Sequence, residues 1–337
     1  MKKFLITGLV AMLIFASCST STGDNGSSGD NEKQATPTET TNTTETTNPT
    51  VNASYFGTKA PDETKEVGDI VFNDGSATPY TPDLVLTAEQ KAAAIAVIFY
   101  KGSDLNSDDN DTTVRTLGVG FKHQKKLVYG DGLKWCTDKA TAYYLHSNEG
   151  IPLDCLWHEE YDDTGSLKII FGAKENTRLS ENEKFCDKNG SDNIEQLNAL
   201  IEQAKAMYEQ NGLAVDFSND TTEESKYPAF YFCKNYKNQK IGSEAKSRLA
   251  GTCFEDGWYL PSIAELYHIY LCMHDSVDID EVSKLCGGNQ FYTGSYWSSS
   301  TDAILSDSDA YFFDFGQVKL DSRDKNYNDS VCAIREF

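Results

Sequence analysis

The sequence predicts an α+β domain that follows an export signal and a disordered tether. Short apolar runs bounded by turn residues, such as residues 94–100, are typical of buried strands. Residues 192–210 have the 3-4 apolar spacing of a long amphipathic helix. Residues 18–66 are rich in Ser, Thr, Asn and Gly and hold few side chains to bury, which is typical of a flexible stalk. We therefore expect a globular region over residues 67–337.

Residues 1–17 have the pattern of a bacterial export signal. Lys2 and Lys3 form a positively charged start, and residues 4–16 form an apolar run that is short for a membrane span. Two small residues then precede Cys18. This arrangement resembles the bacterial lipobox, with Phe15 where Leu is usual, and it implies cleavage before Cys18 and lipid on that cysteine. The alternative is an ordinary secretory signal with a chance cysteine.

The lipoprotein interpretation determines the expected location and first partner. Two or three acyl chains on Cys18, at about 0.8 kcal/mol per buried methylene, hold a protein firmly on a membrane. An Asp directly after the cysteine retains some lipoproteins at an inner membrane. Here Ser and Thr follow the cysteine, so we expect the protein at the outer membrane. Loss of Lys2 and Lys3 with the signal would take the net charge from −22 to −24. This charge argues against nucleic acid as a partner.

The cysteines predict disulfide bonds in the exported domain. Eight remain after Cys18, and an even number in an exported chain favours pairing, although the sequence leaves the pairs open. Buried free thiols are the alternative, because a chain of this length can form a core without crosslinks. The chain has no CxxC pair, so we expect no structural zinc and, more generally, no metal or other cofactor.

Further elements follow from capping and turn signals. Thr87 and Gln90 form a capping box, which predicts a short helix. Strands are predicted over residues 67–72, 94–100, 115–121 and 168–171, and helices over residues 138–145 and 192–210.

An acidic segment at residues 104–111 partly matches a calcium loop. Asp104, Asn106 and Asp108 occupy the first three ligand positions of an EF-hand pattern. Asp109 stands where the loop needs Gly, and Arg115 where it needs the closing Glu. A solvated acidic loop is therefore the preferred interpretation.

The C-terminal third has the most informative pattern. Ser262 and Glu265 form a second capping box, which predicts a helix that buries apolar side chains at positions 263, 266 and 269. Strands are predicted over residues 296–300, 310–316 and 331–335. Trp258 and Trp297 are predicted to be buried and to hold the helix at Ser262 against the terminal strands. The competing interpretation makes one of them an exposed ligand platform.

These motifs occur in an order that resembles a known family. GWYLPSIAEL, YWSSS, the aromatic strand ending in DFG and the terminal VCAIR resemble the C-terminal domain family of the Lcl collagen-like bacterial adhesin, as carried by spirochaete lipoproteins. Gly132 to Trp135 and the following Ala140 match an earlier family motif, so the resemblance covers about residues 115–337, with an insertion at about 146–250. Tyr259 departs from the family, which usually has Arg there.

The resemblance implies a C-type-lectin-like fold with short strands and a few helices. It assigns structural roles to Trp135, Trp258, Pro261, Glu265, Trp297 and Cys332. The best-known family member binds sulfated polysaccharides, but a chain this acidic would repel a polyanion unless it had a local basic patch. The one tight basic cluster, Lys122, Lys125 and Lys126, is explained by a solvated loop.

Two functions from different classes remain open. The first is a non-catalytic binding module, an adhesin for a glycan or a host protein, with its binding residues unassigned. The second is an enzyme of an unrecognised type on a core like that of formylglycine-generating enzymes. The chain has neither H-E-x-x-H nor G-x-S-x-G. The serines at residues 298–300 are interpreted as small residues in a packed strand, and His268 lies in a core-facing helix pattern. We therefore expect no catalytic residues.

Overall fold

The computed structural model describes residues 55–128, 130–143, 155, 157–164, 167–171, 187–210, 223–291, 294–302 and 308–337. The predicted signal, Cys18, the tether up to residue 54 and Cys186 lie outside these residues.

The described residues form an α+β structure with antiparallel sheets. The strands are β1 (Asp69–Phe72), β2 (Ala77–Pro79), β3 (Ala94–Gly102), β4 (Arg115–Gly120), β5 (Leu133–Lys134), β6 (Trp157–Tyr161), β7 (Leu167–Phe171), β8 (Ser295–Thr301), β9 (Asp309–Asp314), β10 (Lys319–Asp324), β11 (Asn328–Asp329) and β12 (Ile334–Glu336). The helices are α1 (Ala88–Ala93), α2 (Asn193–Gln210), α3 (Pro228–Lys234), α4 (Ile263–Asp275) and α5 (Ile279–Leu285), with 3₁₀ turns at Thr141–Tyr143 and Tyr236–Asn238.

The strands form one large sheet and three smaller ones. The large sheet has the order β12-β4-β3-β1-β2, and a three-stranded sheet has the order β10-β9-β8. The pairs β5–β11 and β6–β7 form two-stranded ribbons. The C-terminal strand β12 pairs with β4, with Ile334 opposite Val119, so the last residues of the chain complete the large sheet.

The apolar run of β3 is explained by burial on both faces of the large sheet. Val97 and Phe99 belong to a first hydrophobic cluster, which also contains the apolar residues of α4 and α5. Ala96 and Ile98 point the other way into a second cluster, to which α2 and α3 contribute. Because successive side chains of a strand alternate between faces, a strand covered on both sides needs apolar residues at every position.

Local capping signals correctly located two helix starts. The Thr87 hydroxyl accepts from the Gln90 N–H, and the Gln90 side chain accepts from the Thr87 N–H. Ser262 and Glu265 form the same reciprocal pair at the start of α4. The predicted strands at β1, β3, β4, β7, β8 and β9 and the helix α2 are also present.

The ordered domain begins before residue 67, so the predicted end of the tether is too late in the chain. Lys59 forms a β-bridge with Ala77, and its ammonium group lies 2.6 Å from a carboxylate oxygen of Asp69. The Gly57 N–H donates to the Ser76 hydroxyl at 2.8 Å. Edge strand β2 thus gains hydrogen-bonding partners from a segment whose composition resembles a linker.

The predicted helix at residues 138–145 is reduced, over its described part, to the 3₁₀ turn at Thr141–Tyr143. Tertiary hydrogen bonds use the backbone groups that a longer helix would need. The Ala142 N–H donates to the Tyr227 hydroxyl at 3.1 Å, and the Ala142 carbonyl accepts from the Lys325 ammonium at 3.1 Å.

The predicted insertion at about 146–250 supplies part of the core. Leu197 and Ile201 of α2 and Phe230 of α3 are buried in the second cluster. Across the described ranges, no helix is both long enough and apolar enough to cross a membrane.

Candidate functional site

An open cleft lies beside the β5–β11 ribbon. In this ribbon Asn328 is opposite Lys134 and Asp329 is opposite Leu133. A tight turn connects β10 to β11: the Tyr327 N–H donates to the Asp324 carbonyl at 2.9 Å. The Asp324 carboxylate also accepts from the Asn326 N–H at 2.8 Å, which is the side-chain-to-backbone bond that stabilises Asp-initiated turns.

The cleft has a volume of about 310 Å³ and a mixed polar and aromatic lining. The lining residues are Lys126, Gly130, Lys134, Asp324, Asn326, Tyr327 and Asn328. Tyr327 is 58% exposed, so much of its side chain is accessible to a ligand in the cleft. Leu127 and Val128, which follow Lys126 in the chain, are 78% and 64% exposed. This volume is at the lower end of the range for small-molecule sites, about 300–1,000 Å³.

A close backbone approach shapes the loop on one side of the cleft. Gly132 has a φ of +86°, and a Cβ atom there would lie 2.5 Å from the Asp329 carbonyl oxygen. Only glycine fits such a position without moving the backbone. The Asn328 side-chain amide donates to the Gly130 carbonyl at 2.7 Å and ties the loop to β11.

The charged groups around the cleft have ionic or hydrogen-bonding partners. The Lys126 ammonium lies 3.1 Å from the Asp329 carboxylate, and Arg323 lies 3.1 Å from the other oxygen of the same group. Burial raises the pKa of Asp329, while Arg323 and Lys126 oppose this shift. The Lys134 ammonium donates to the Asn326 amide oxygen at 2.7 Å. The Tyr143 hydroxyl donates to Asp324 at 2.9 Å, so that carboxylate is also engaged.

Glu265, predicted as a structural residue, is the centre of a buried ionic network beneath α4. Its carboxylate accepts from the Ser262 and Gly190 N–H groups at 2.8 and 3.0 Å. The Tyr259 hydroxyl donates to it at 2.9 Å, and the Arg115 guanidinium lies 3.4 Å away. Burial raises the pKa of Glu265, and Arg115 together with these hydrogen bonds opposes that shift. Tyr259 therefore joins a network whose cation, Arg115, comes from β4.

The serine run of β8 forms a second buried polar cluster. The Ser300 hydroxyl donates to Asp187 at 2.6 Å, and the Asn193 amide donates both to Asp187 at 2.7 Å and to the Ser299 hydroxyl at 2.6 Å. Burial raises the pKa of Asp187 well above its ordinary value. The Ser298 hydroxyl donates to the Tyr311 carbonyl at 2.8 Å. These hydroxyls join buried elements and do not line the cleft.

The three predicted structural tryptophans are buried. The Trp135 indole donates to the Ser298 carbonyl at 2.9 Å, Trp297 to the Leu133 carbonyl at 2.9 Å, and Trp258 to the Phe254 carbonyl at 2.8 Å. All three residues belong to the second hydrophobic cluster.

The predicted contact of Trp258 and Trp297 with the helix at Ser262 is wrong. The apolar residues of α4 belong to the first cluster, on the opposite face of the sheets. Strand alternation explains the difference, because Tyr296 points to the first cluster and its neighbour Trp297 to the second. Trp258 instead packs on Tyr236, with ring centroids 4.4 Å apart.

Pro261 and Cys332 also lie in the interior. The Pro261 carbonyl accepts from the Ser299 N–H at 2.7 Å, which joins the start of α4 to β8. The Cys332 carbonyl accepts from the Cys233 thiol at 3.3 Å, and burial raises the pKa of both thiols. Among the cysteines that the structure describes there is no disulfide bond. The disulfide prediction is therefore not confirmed.

The acidic loop at residues 104–111 uses its side chains in turns and contacts. The Asn106 amide donates to the Asp111 and Thr113 carbonyls, and Asp108 accepts from the Asn110 N–H. Asp109 pairs with Lys188 at 2.5 Å. Within the described part of the chain, no group of three or more His, Cys, Asp or Glu residues has an arrangement suited to a metal ion.

The lysine cluster noted in the sequence does not form a single basic patch. Lys126 lines the cleft and is paired with Asp329. Lys122 lines a separate small cavity beside Tyr236, and its backbone N–H donates to the Tyr236 hydroxyl at 2.7 Å.

His268 packs edge-on against Tyr100, and burial lowers the pKa of His268 to about 4.

Sequence reasoning assigned a binding role to none of the seven residues that line the cleft. One signal was present, since Tyr327 is a lone aromatic residue in the polar segment DKNYND between two strands. A turn at the surface exposes such a side chain, and exposed loop residues often take part in binding.

Comparison of the chain with models of known protein families finds no match, and a search of curated proteins also finds none. The resemblance to the Lcl C-terminal domain family therefore stays a prediction.

Proposed function

We propose that this protein is a non-catalytic binding module of a surface lipoprotein. In this proposal, lipid on Cys18 anchors the chain to the outer membrane and the tether holds the domain away from it. The cleft beside β5 and β11 captures a ligand, either a glycan or a protein on another cell. The proposed lectin-like character of the fold is supported by the short antiparallel strands that present this cleft.

The observation that carries the proposal is the exposed Tyr327 in a cleft beside the β5–β11 ribbon. Binding sites commonly combine an exposed aromatic side chain with convergent polar groups on a scaffold that does not move. Here the Asp324 turn and the Gly130–Asn328 hydrogen bond hold the surrounding backbone in place. The cleft is therefore organised before a ligand arrives, which reduces the entropic cost of binding.

Two buried carboxylates with raised pKa values lie outside the cleft. Asp187 and Glu265 have raised pKa values, which is a common feature of catalytic groups. Both are enclosed and hydrogen-bonded to neighbouring residues, and neither lines the cleft. Their hydrogen bonds to neighbouring residues are explained by a structural role.

Adhesion of cells that display the full-length protein would test this proposal. Cells would be applied to surfaces coated with host-matrix proteins and glycans, and Tyr327→Ala would be compared with Tyr161→Ala. Tyr161 is a matched control, because it is an exposed tyrosine on the separate β6–β7 ribbon. Surface levels would be checked with an antibody.

We expect Tyr327→Ala to reduce adhesion and Tyr161→Ala to leave it unchanged. Adhesion that is insensitive to Tyr327→Ala would refute the assignment of the cleft. No adhesion to any coated surface by the wild-type protein would count against the binding function itself.

A further inference from the structure

The chemistry of the cleft narrows the class of ligand. A tyrosine ring that is 58% exposed offers a flat apolar face with a polar tip. Such a face fits a partner that is itself flat and weakly apolar on one side and rich in hydrogen-bonding groups at its edge. A pyranose ring has this shape, since its axial C–H groups form an apolar face and its hydroxyls surround the edge.

The polar groups of the cleft match hydroxyls better than they match charges. Asn326 and Asn328 line it, and an amide side chain both donates and accepts, as a sugar hydroxyl does. Asn328 uses one N–H on Gly130, and the oxygen of Asn326 accepts from Lys134. The other polar atoms of these amides are the natural partners for hydroxyls at the edge of a ring.

The electrostatics favour an uncharged ligand. Lys126 and Arg323 share the carboxylate of Asp329, and Asp324 lies in the same cleft as Lys134. The cleft therefore has nearly balanced charge within a chain whose net charge is −22. A sulfated or carboxylated ligand would compete with Asp329 for Lys126 and would meet the repulsion of the whole chain.

We propose that the cleft binds an uncharged sugar unit, which stacks on the Tyr327 ring and hydrogen-bonds to Asn326 and Asn328. The inference rests on the proposed binding function and names its ligand. Recognition in this form uses an aromatic face and amide groups, so it needs no calcium ion to bridge sugar hydroxyls to the protein. The cleft volume of about 310 Å³ suits one or two sugar residues at the end of a glycan.

A glycan array with the full-length protein tests this inference. The protein would be purified in a polyoxyethylene detergent, because a sugar-based detergent would compete for the cleft. The array would carry neutral mono- and disaccharides beside their sulfated and sialylated counterparts. Binding would be measured with EDTA or calcium, at low and high sodium chloride, for the wild type, Tyr327→Ala, Tyr327→Phe and the control Tyr161→Ala.

We expect binding to neutral sugars that changes little with salt or EDTA. Tyr327→Ala should weaken it about tenfold or more, as expected for loss of a central aromatic contact. Tyr327→Phe keeps the ring face and should retain most of the affinity, and Tyr161→Ala should match the wild type. Equal melting temperatures of the four proteins would show that folding is unchanged.

Other outcomes separate this inference from the proposed function. Binding to sulfated or sialylated glycans alone, lost in Tyr327→Ala and weakened by salt, would overturn the neutral-sugar inference and leave the cleft as the binding site. Tyr327-dependent adhesion to a protein with no sugar bound on the array would do the same. Sugar binding that Tyr327→Ala does not change would overturn the inference and the assignment of the cleft together.

Discussion

Replacement of Trp297 by alanine is the most direct test of the interior described above. Trp297 is 0% exposed and packs edge-on against Phe312, with ring centroids 6.3 Å apart. Removal of a fully buried Trp side chain costs about 3–5 kcal/mol, because transfer energy is lost and a cavity remains. The change also leaves the Leu133 carbonyl without its indole donor.

The expected loss is large compared with the stability of an ordinary domain, which is about 5–15 kcal/mol. At roughly 2–4 °C per kcal/mol for a domain of this size class, the melting temperature should fall by about 6–20 °C. Differential scanning calorimetry of the purified full-length protein measures this directly. Leu133 belongs to the β5–β11 ribbon, so we also expect the cleft to lose order in this variant.

Two control variants make the result interpretable. Trp297→Phe keeps an aromatic ring and loses the indole N–H, so its cost should be smaller, about 1–3 kcal/mol. Tyr327→Ala changes an exposed residue and should alter stability by no more than about 0.5 kcal/mol. A Trp297→Ala protein that melts with the wild type would refute the buried position and would restore the view that this tryptophan is a ligand platform.

Three further predictions follow from the buried charges and from the anchor. Arg115→Met should destabilise the fold by about 3–5 kcal/mol in urea unfolding at neutral pH, because it leaves Glu265 buried without its cation; an unchanged midpoint would contradict the ion pair. Burial lowers the pKa of His123 to about 3, whereas the unfolded value is about 6.5, so the unfolded chain binds the extra proton between these values. The free energy of unfolding should therefore decrease as the pH is lowered from about 6.5 to about 3. His123→Phe should flatten that part of the profile of melting temperature against pH, relative to wild type; profiles of equal slope would show that His123 is not the group responsible. Cys18→Ala should prevent lipidation, so that the processed protein leaves the detergent phase in phase partitioning; retention there after removal of the signal would refute the lipid anchor.

Contacts between residues far apart in the sequence explain why the candidate site was harder to predict than the helices. Arg115 and Glu265 are 150 residues apart in the chain, and Lys134 and Asn326 are 192 apart. A single sequence gives no indication that such residues meet. The cleft brings together residues from distant segments. No local pattern distinguishes its lysines and asparagines from other surface residues.

Local sequence patterns were sufficient to predict the elements whose hydrogen bonds are local. Thr87 with Gln90 and Ser262 with Glu265 form capping bonds within a span of three residues, and the apolar run at residues 94–100 indicated a buried strand. The remaining features depend on the tertiary fold. It shortened the predicted helix at residues 138–145 because Tyr227 and Lys325 bind its backbone groups, and it placed Trp297 away from α4 because strand residues alternate in direction. It also exposed Tyr327 beside two lysines from distant segments, because loop closure and strand pairing bring these segments together in ways that local propensity does not encode.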